Sequence, residues 1–552
     1  MNSAIRNRVK IKRNDIYALL VGFILSCCQI VGRAFINGGG HVYLRDYTMY
    51  LKIIGVTLIV TVPIMIIYRV IRYFSFVDNI IERKLTILFA KVGRKAFFLT
   101  FLLLLICYLP IFLYVFPGYY AYDGPTQIYD LLHNHSWSAA HPIFHTAILG
   151  VCFFIGNALF GSYTAGLALY SAVCALAAAM VFSYVCKYMA DMKIPKVIIV
   201  LSFIYFALNP LIQLYLFVTT KDMLYALSML LLFLFSVDIM LNPGRFFTSA
   251  FRIIRFILMV IIMCFLRNQG IYIMCLFAPF FVIACKGHRI KSLLVIVSSI
   301  LIVWGIQGPI SSFLNIAPSN FREALSVPMQ QLVRVVHFAP ESLAEEEKDY
   351  IHELIAEEGI TGYLPFISDP VKSYFDIQVF KDDPVKFAKI YLAVGMNNIN
   401  IYFDSFLWGS LGYYYIGNTN NLDYGYWTRV LDFLRPDSKS MTFIEISKHN
   451  FFPLYGRYFE KIESGAFLRL PFFSIVCGNA LPFFIMLFVL GYLFFSRKYK
   501  LAVPLILLFA YWLTLLIGPV VLLRYTLPLM ISAPAVVSLL FLKTETENNI
   551  VV

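Results

Sequence analysis

The chain has 552 residues, of which 60% are hydrophobic, 17% aromatic and only 14% charged. That composition excludes a soluble globular protein of this size, a fibrous chain and a disordered one, and points to a polytopic membrane protein. The formal net charge of +14 is no argument for nucleic acid, because the basic residues sit in short loops between apolar runs, as the positive-inside bias produces.

In chain order, Arg6, Arg8, Lys10, Lys12 and Arg13 place the N-terminus in the cytoplasm. No small-residue cleavage site follows the first apolar run, so 16–36 reads as a retained span and not a signal peptide. Spans at 49–70 and 96–116 follow, and the basic loop between them is cytoplasmic. The third span therefore exits outward at Phe116-Pro117. Residues 142–160 are apolar but interrupted by His145, Gly150, Gly156 and Asn157. Read as a helix lying at the interface, they keep Lys187, Lys193 and Lys196 on the cytoplasmic side. Further spans are expected at 164–186, 197–218, 222–241, 253–266, 270–285 and 292–313. Residues 314–470 hold most of the acids and a partial helical pattern at Val327, Met329, Leu332, Val335 and Val336. They read as a mainly helical extracytoplasmic domain, whose aromatic stretch 399–416 dips into the interface. Spans at 472–495, 501–520 and 522–541 close the chain.

The predicted fold is thus an all-α polytopic membrane protein with about twelve transmembrane helices and both termini cytoplasmic. It divides into a two-span extension (1–95), a transmembrane module (96–313) with a first outer loop at 117–163, the extracytoplasmic domain (314–470) and a three-span end (471–552). The ten cysteines lie mostly inside apolar runs, without C-x-x-C or Cys/His metal spacing, and read as small apolar fillers.

This topology brings five polar points to the outer face: Asp123, the pair His141 and His145, Lys221-Asp222, Arg267, and Arg524-Tyr525. An acid at the rim of a membrane is costly unless it is used. One carboxylate among several cations suits transfer from a phosphate-bearing donor to a hydroxyl. The cations hold the departing phosphate and the carboxylate takes the proton. Tyr119, Tyr120, Tyr122 and Tyr129 can stack on sugar rings, although tyrosines at this depth also form an ordinary interface belt. Several of these residues have a plain structural alternative, whereas Arg524, an outer basic residue against the positive-inside trend, reads as functional. Asp123-Gly124-Pro125 can start a helix. Asp130 can be a solvated helix residue. Lys221 can snorkel and Asp222 can cap the next helix. His141 can cap the helix that follows it. His141 and His145 have metal-ligand spacing but no H-E-x-x-H glutamate, so no metal or other cofactor is predicted.

The order of parts resembles the GT-C superfamily of membrane glycosyltransferases, in particular the polyprenyl-phosphate-sugar-dependent members such as protein mannosyltransferases and aminoarabinose transferases. Tyr122-Asp123-Gly124 looks like the acidic opening of their first outer loop. His141-Pro142-Ile143-Phe144 looks like its His-Pro element. Thr219 to Leu224 is similar to a second acidic site, with Asp222 at the matching position, and Arg524-Tyr525-Thr526-Leu527-Pro528 resembles a late Arg-Tyr element. The chain departs from the pattern in having Gly124 where many members carry a second acid, one Pro after His141, and two extra spans at the front. The resemblance implies that Asp123 is the base and that His141, Lys221 and Arg524 bind the carrier phosphate. Arg267 joins them on topology alone. It implies a bacterial plasma-membrane enzyme that moves a sugar from a polyprenyl-phosphate carrier to a glycan, lipid or protein acceptor. An envelope polysaccharide polymerase, ligase or lipid-linked-sugar flippase is the alternative. A secondary transporter is a second one, requiring paired midplane charges and broken helices in two similar halves, which the sequence does not display.

Overall fold

The computed structural model describes residues 13–89, 93–139, 141–313, 316–317, 321–417 and 438–542. Among these residues helices carry the fold, and only isolated β-bridges occur. The chain opens with the hairpin α1 (Ile16–Asn37) and α2 (Tyr47–Phe89), followed by α3 (Gly93–Val115) and the short α4 (Gly124–Leu132). A second hairpin, α5 (Ile143–Phe160) and α6 (Tyr163–Asp191), precedes α7 (Lys196–Leu208), α8 (Pro210–Tyr215) and α9 (Asp222–Leu241). Next come α10 (Ala250–Leu266), α11 (Gly270–Ala284) and α12 (Arg289–Gly305). The central polar region contains α13 (Ser326–Phe338), α14 (Pro384–Asn397) and α15 (Ile399–Ser410), and α16 (Leu481–Phe495), α17 (Tyr499–Leu516) and α18 (Leu523–Ser538) complete the bundle. Eight helical stretches are long and apolar enough to cross a membrane: α1, Tyr47–Tyr73, Phe97–Val115, α5, α6, α9, Arg289–Phe313 and α17. The protein is an all-α, multi-pass membrane protein.

Local chemistry explains where the observed helices differ from the expected spans. The span expected at 197–218 is broken between α7 and α8. Pro210 has no N–H to continue the ladder, and Asn209 accepts hydrogen bonds from the amides of Leu211 and Ile212 at 3.0 and 3.3 Å, capping a new helix. The span expected at 472–495 divides likewise into Pro471–Val476 and α16, with Gly478 in the gap. The stretch 142–160, expected to lie at the interface, is itself long and apolar enough to cross. It packs on the first turns of α6 at Gly156, where an added Cβ would strike the backbone of Gly166 and Ala165.

Two hydrogen bonds set the scale of the bundle. At one level Tyr170 on α6 donates to the Thr220 carbonyl (3.2 Å), and at the other Tyr188 donates to Asp238 on α9 (2.8 Å). The partners advance by eighteen residues in both segments, so α6 and α9 run parallel and the levels are about 27 Å apart at 1.5 Å per residue. That separation is close to the roughly 30 Å of a bilayer's hydrocarbon core. The basic loops after α9 lie at the Asp238 level, and the Asp123 segment lies at the Thr220 level.

Residues 321–402 have their own core, in which Met329, Leu332 and Val335 pack with Ile351, Leu354 and Val371. Of the aromatics on α15, Tyr402 and Trp408 are buried while Phe403 and Phe406 are half-buried. Tyr402 is buried in this second core, whereas Leu407 and Trp408 are buried in the main one, so α15 ties the two together. Polar clasps add to this tie. Asp404 meets His41 Nδ1 and the Val42 amide, both at 2.9 Å, and the Ser368 amide donates to the Pro519 carbonyl at 2.9 Å. The Tyr413 hydroxyl donates to the Val520 carbonyl at 3.1 Å. The loop ahead of Arg524 is therefore gripped by the polar domain.

In a cysteine-free background, a Cys at exposed Ser136 and one at exposed Lys286 are expected to react with a membrane-impermeant maleimide from opposite sides of sealed vesicles. Labelling of both from one side would contradict the two-level arrangement.

Candidate functional site

The site begins with two extended segments laced together at the mouth of the bundle. Tyr119 and Val218 form a parallel bridge, with the Tyr119 amide donating to the Phe217 carbonyl (2.7 Å) and the Thr219 amide to the Tyr119 carbonyl (3.0 Å). The Thr219 hydroxyl accepts from the Ala121 amide at 2.9 Å. Glycine is needed at 118: φ is +128°, and a Cβ would meet Ser171 and the Phe217 carbonyl. At Gly124 a Cβ would collide with the Thr219 side chain. Tyr122 adopts φ +55°, in the left-handed region that a bulky residue rarely occupies, and its ring lies against the Arg524 guanidinium at 4.3 Å.

This lacing sets Asp123 opposite Lys221. Lys221 Nζ donates to Asp123 Oδ2 at 2.8 Å, and His141 Nδ1 lies 3.9 Å from the same oxygen. The Asp123 side chain does not cap α4. It keeps 34% of its surface accessible and so remains reachable. Burial acts to raise its pKa, but Lys221 and Arg524 outweigh that and hold it well below the usual carboxylate range. It is an anion at neutral pH. Burial pushes His141 below the ordinary histidine value against the opposing pull of Asp123, so His141 is neutral there. His141 therefore stands beside Asp123 as a neutral ring whose Nδ1 is buried without a hydrogen-bond partner.

A second charge group lies beneath. Asp222 is fully buried and accepts hydrogen bonds from Arg267 Nη2 at 2.5 Å and the Thr220 hydroxyl at 2.6 Å, with Arg524 Nη1 at ion-pair distance, 3.5 Å. Its carboxylate does not serve α9 as a cap. Arg267, 7% exposed, also donates to the Tyr511 hydroxyl at 3.0 Å, and that hydroxyl donates to the Tyr525 carbonyl at 2.5 Å. Tyr525 stands between the two guanidinia, its ring 4.8 Å from Arg267 and 4.7 Å from Arg524. Arg267 is therefore a buried partner of Asp222 and not an accessible ligand-binding cation. Arg524 differs: its Nε and Nη1 are buried without a hydrogen-bond partner. Counted together, two carboxylates face three cations, which leaves one positive charge in surplus.

His145, expected beside His141 as a substrate contact, is buried, with Nδ1 on Gln127 Oε1 (3.0 Å) and Nε2 on the Tyr170 hydroxyl (2.8 Å). Both nitrogens are committed to protein. It bolts α4, α5 and α6 together, and the Tyr170 hydroxyl carries the link on to the Thr220 carbonyl. Among the described residues no group of three or more His, Cys, Asp and Glu side chains is placed to hold a metal ion. Asp130 hydrogen-bonds Asn134 at 2.9 Å, away from the charges. The residues that sequence reading missed are Thr220, Tyr511, Gln127 and Tyr225, whose ring lies 5.4 Å from the Arg267 guanidinium. Tyr511 alone left a trace, as a hydroxyl in an apolar run.

The chain matches a family model over residues 132–550, described as a family of unknown function (DUF6020). The chain belongs to that family. Lys221, Asp222, Arg267 and Arg524 fall within the matched region, and Asp123 lies just ahead of it. No curated protein matches. No solved structure matches.

The buried pair sets a stability test. Arg267→Leu, which leaves Asp222 with fewer partners, is expected to destabilise the protein by about 3–5 kcal/mol. Asp222→Asn combined with Arg267→Leu should cost less than Arg267→Leu alone. Thermal unfolding in detergent measures both, and a double variant weaker than the single would contradict the pairing.

Proposed function

We propose that this protein is a glycosyltransferase of the GT-C type, moving a sugar from a polyprenyl-phosphate carrier to a hydroxyl of a cell-envelope acceptor at the outer face of the plasma membrane. The observation that carries the reading is the reachable Asp123 carboxylate, set against Lys221 in a layer with a surplus positive charge and an unsatisfied Arg524. An apolar-walled site with an excess cation favours an anion, and a lipid-borne phosphate can approach it from the bilayer. In this reading α5 lies along the surface, and the other seven apolar stretches together with α7–α8, α10, α11, α16 and α18 are taken as twelve crossings that leave both termini cytoplasmic.

The chemistry follows from the charges. Asp123 accepts the proton of the acceptor hydroxyl while that oxygen bonds to the anomeric carbon. The bond from this carbon to the phosphate oxygen breaks, and the phosphate leaves with the electron pair. Lys221 and Arg524 stabilise the departing charge and His141 donates a hydrogen bond to it. The strong Asp123–Lys221 contact makes Asp123 a weak base when the site is empty. A phosphate that draws Lys221 away strengthens the base only once donor is bound, so the cation couples donor arrival to proton acceptance.

Asp123→Asn is expected to retain folding and to lose sugar transfer from a purified polyprenyl-phosphate donor by about 10²–10⁴-fold. Wild-type transfer by the folded variant would contradict the assignment. Lys221→Met should raise the Asp123 pKa, because burial persists without its main counter-charge, and so move the acid limb of the rate to higher pH. An unmoved limb would contradict the coupling.

A polymerase or ligase acting on a diphosphate-linked glycan is a second reading, favoured by Arg524, whose Nε and Nη1 have no hydrogen-bond partner. Activity lost in Arg524→Gln but kept in Asp123→Asn would select it.

A further inference from the structure

At the opposite level of the bundle, some 27 Å from Thr220 by the α6–α9 register, the structure contains a cavity of about 520 Å³. Its wall carries Arg245, Arg252 and Arg255, with Tyr188, Asp238 and Phe256. Its volume lies within the roughly 300–1,000 Å³ usual for small-molecule sites. Positive-inside bias explains arginines at this level of the bundle. It does not explain their convergence on a concave wall, nor the way two of them are held. The face of the Arg255 guanidinium lies over the Phe235 ring at 4.1 Å, which leaves its N–H edge for a ligand. Arg252 Nη1 donates to the Arg245 carbonyl at 2.7 Å, which fixes its direction.

Asp191 and Asp238 also line the cavity and Asp238 feels all three arginines, so three guanidinia against two carboxylates leave a positive surplus. Asp238 accepts from the Tyr188 hydroxyl at 2.8 Å, and Asp191 is paired with Lys187. Among the described residues, none of the three arginines makes an ion pair with a carboxylate. Guanidinium groups with free edges match the oxygens of a phosphate, and the aromatic remainder of the wall suits the apolar part of an amphiphile.

We infer that this cavity binds a phosphate ester, at a site separate from the Asp123 cluster and on the other side of the membrane. The inference does not rest on the glycosyltransferase reading. The ester can come from an anionic lipid headgroup or from a soluble phosphate compound, and the test separates the two. Full-length protein is purified in detergent and exposed to phosphatidylglycerol or phosphatidylcholine, and retained lipid is counted by native mass spectrometry. Wild type is expected to keep phosphatidylglycerol in preference, and Arg245→Gln/Arg255→Gln to lose about tenfold of that retention. Arg289→Gln/Lys291→Gln, in the first turn of α12 and outside the cavity, should keep it. If the ester is soluble, neither lipid is preferred, but millimolar inorganic phosphate protects Arg245 and Arg255 of wild type from phenylglyoxal. Equal retention by wild type and the cavity variant without phosphate protection, or an equal loss in the control variant, would overturn the inference. Should the double variant not fold, exposed Arg245→Gln alone is expected to reduce retention or protection, and no change would overturn it.

Discussion

The arrangement at the mouth of the bundle depends on charges compensating one another out of water. Removing a carboxylate or a guanidinium from solvent costs several kcal/mol per ion, and only close, hydrogen-bonded partners recover it. Asp222 meets that demand with Arg267, Arg524 and Thr220. Because these groups come from three separate stretches of the chain, the pairing fixes where α9, the α10–α11 turn and the start of α18 stand relative to one another. Asp123 and Lys221 repeat the principle one layer further out, where Asp123 keeps contact with solvent. The buried set holds its shape while the outer pair can exchange partners, a division suited to a site that must bind a charged molecule and release it.

Other parts of the structure serve that layer. The lacing of residues 119–121 with 217–219 aims Asp123 at Lys221 without help from a helix cap. The buried His145–Gln127–Tyr170 network holds the loop behind them. The polar domain reaches over the membrane part and holds the 519–522 loop through Ser368 and Tyr413, which steadies Arg524 from above. A substitution in that domain can therefore affect the site without touching it, through the direction of one guanidinium.

The sequence disclosed the class of fold, because long apolar runs between basic loops have no soluble explanation. It also disclosed Asp123, Lys221, Asp222 and Arg524, since a charge at the end of an apolar run is conspicuous. Their pairing was not legible: no local pattern tells that Arg267 turns to Asp222, or that Lys221 turns to Asp123. Histidine spacing misled, because His145 lies one turn after His141 yet points into the core, where Gln127 and Tyr170 take both its nitrogens. The break at Asn209-Pro210 was present in the residues but hidden by the strength of the hydropathy around it. Tyr511 showed only as a hydroxyl in an apolar run and Tyr225 not at all, because a tyrosine inside an apolar helix gives no sign of which cation it will face.

The central claim is that the surplus positive charge beside Asp123 is a seat for a lipid-borne phosphate. A structure determined by electron cryo-microscopy in nanodiscs with added polyprenyl phosphate tests it most directly. Phosphate density within hydrogen-bond reach of both Lys221 and Arg524 is the expected result. Saturating lipid with those two side chains unchanged and its phosphate bound elsewhere would contradict the account.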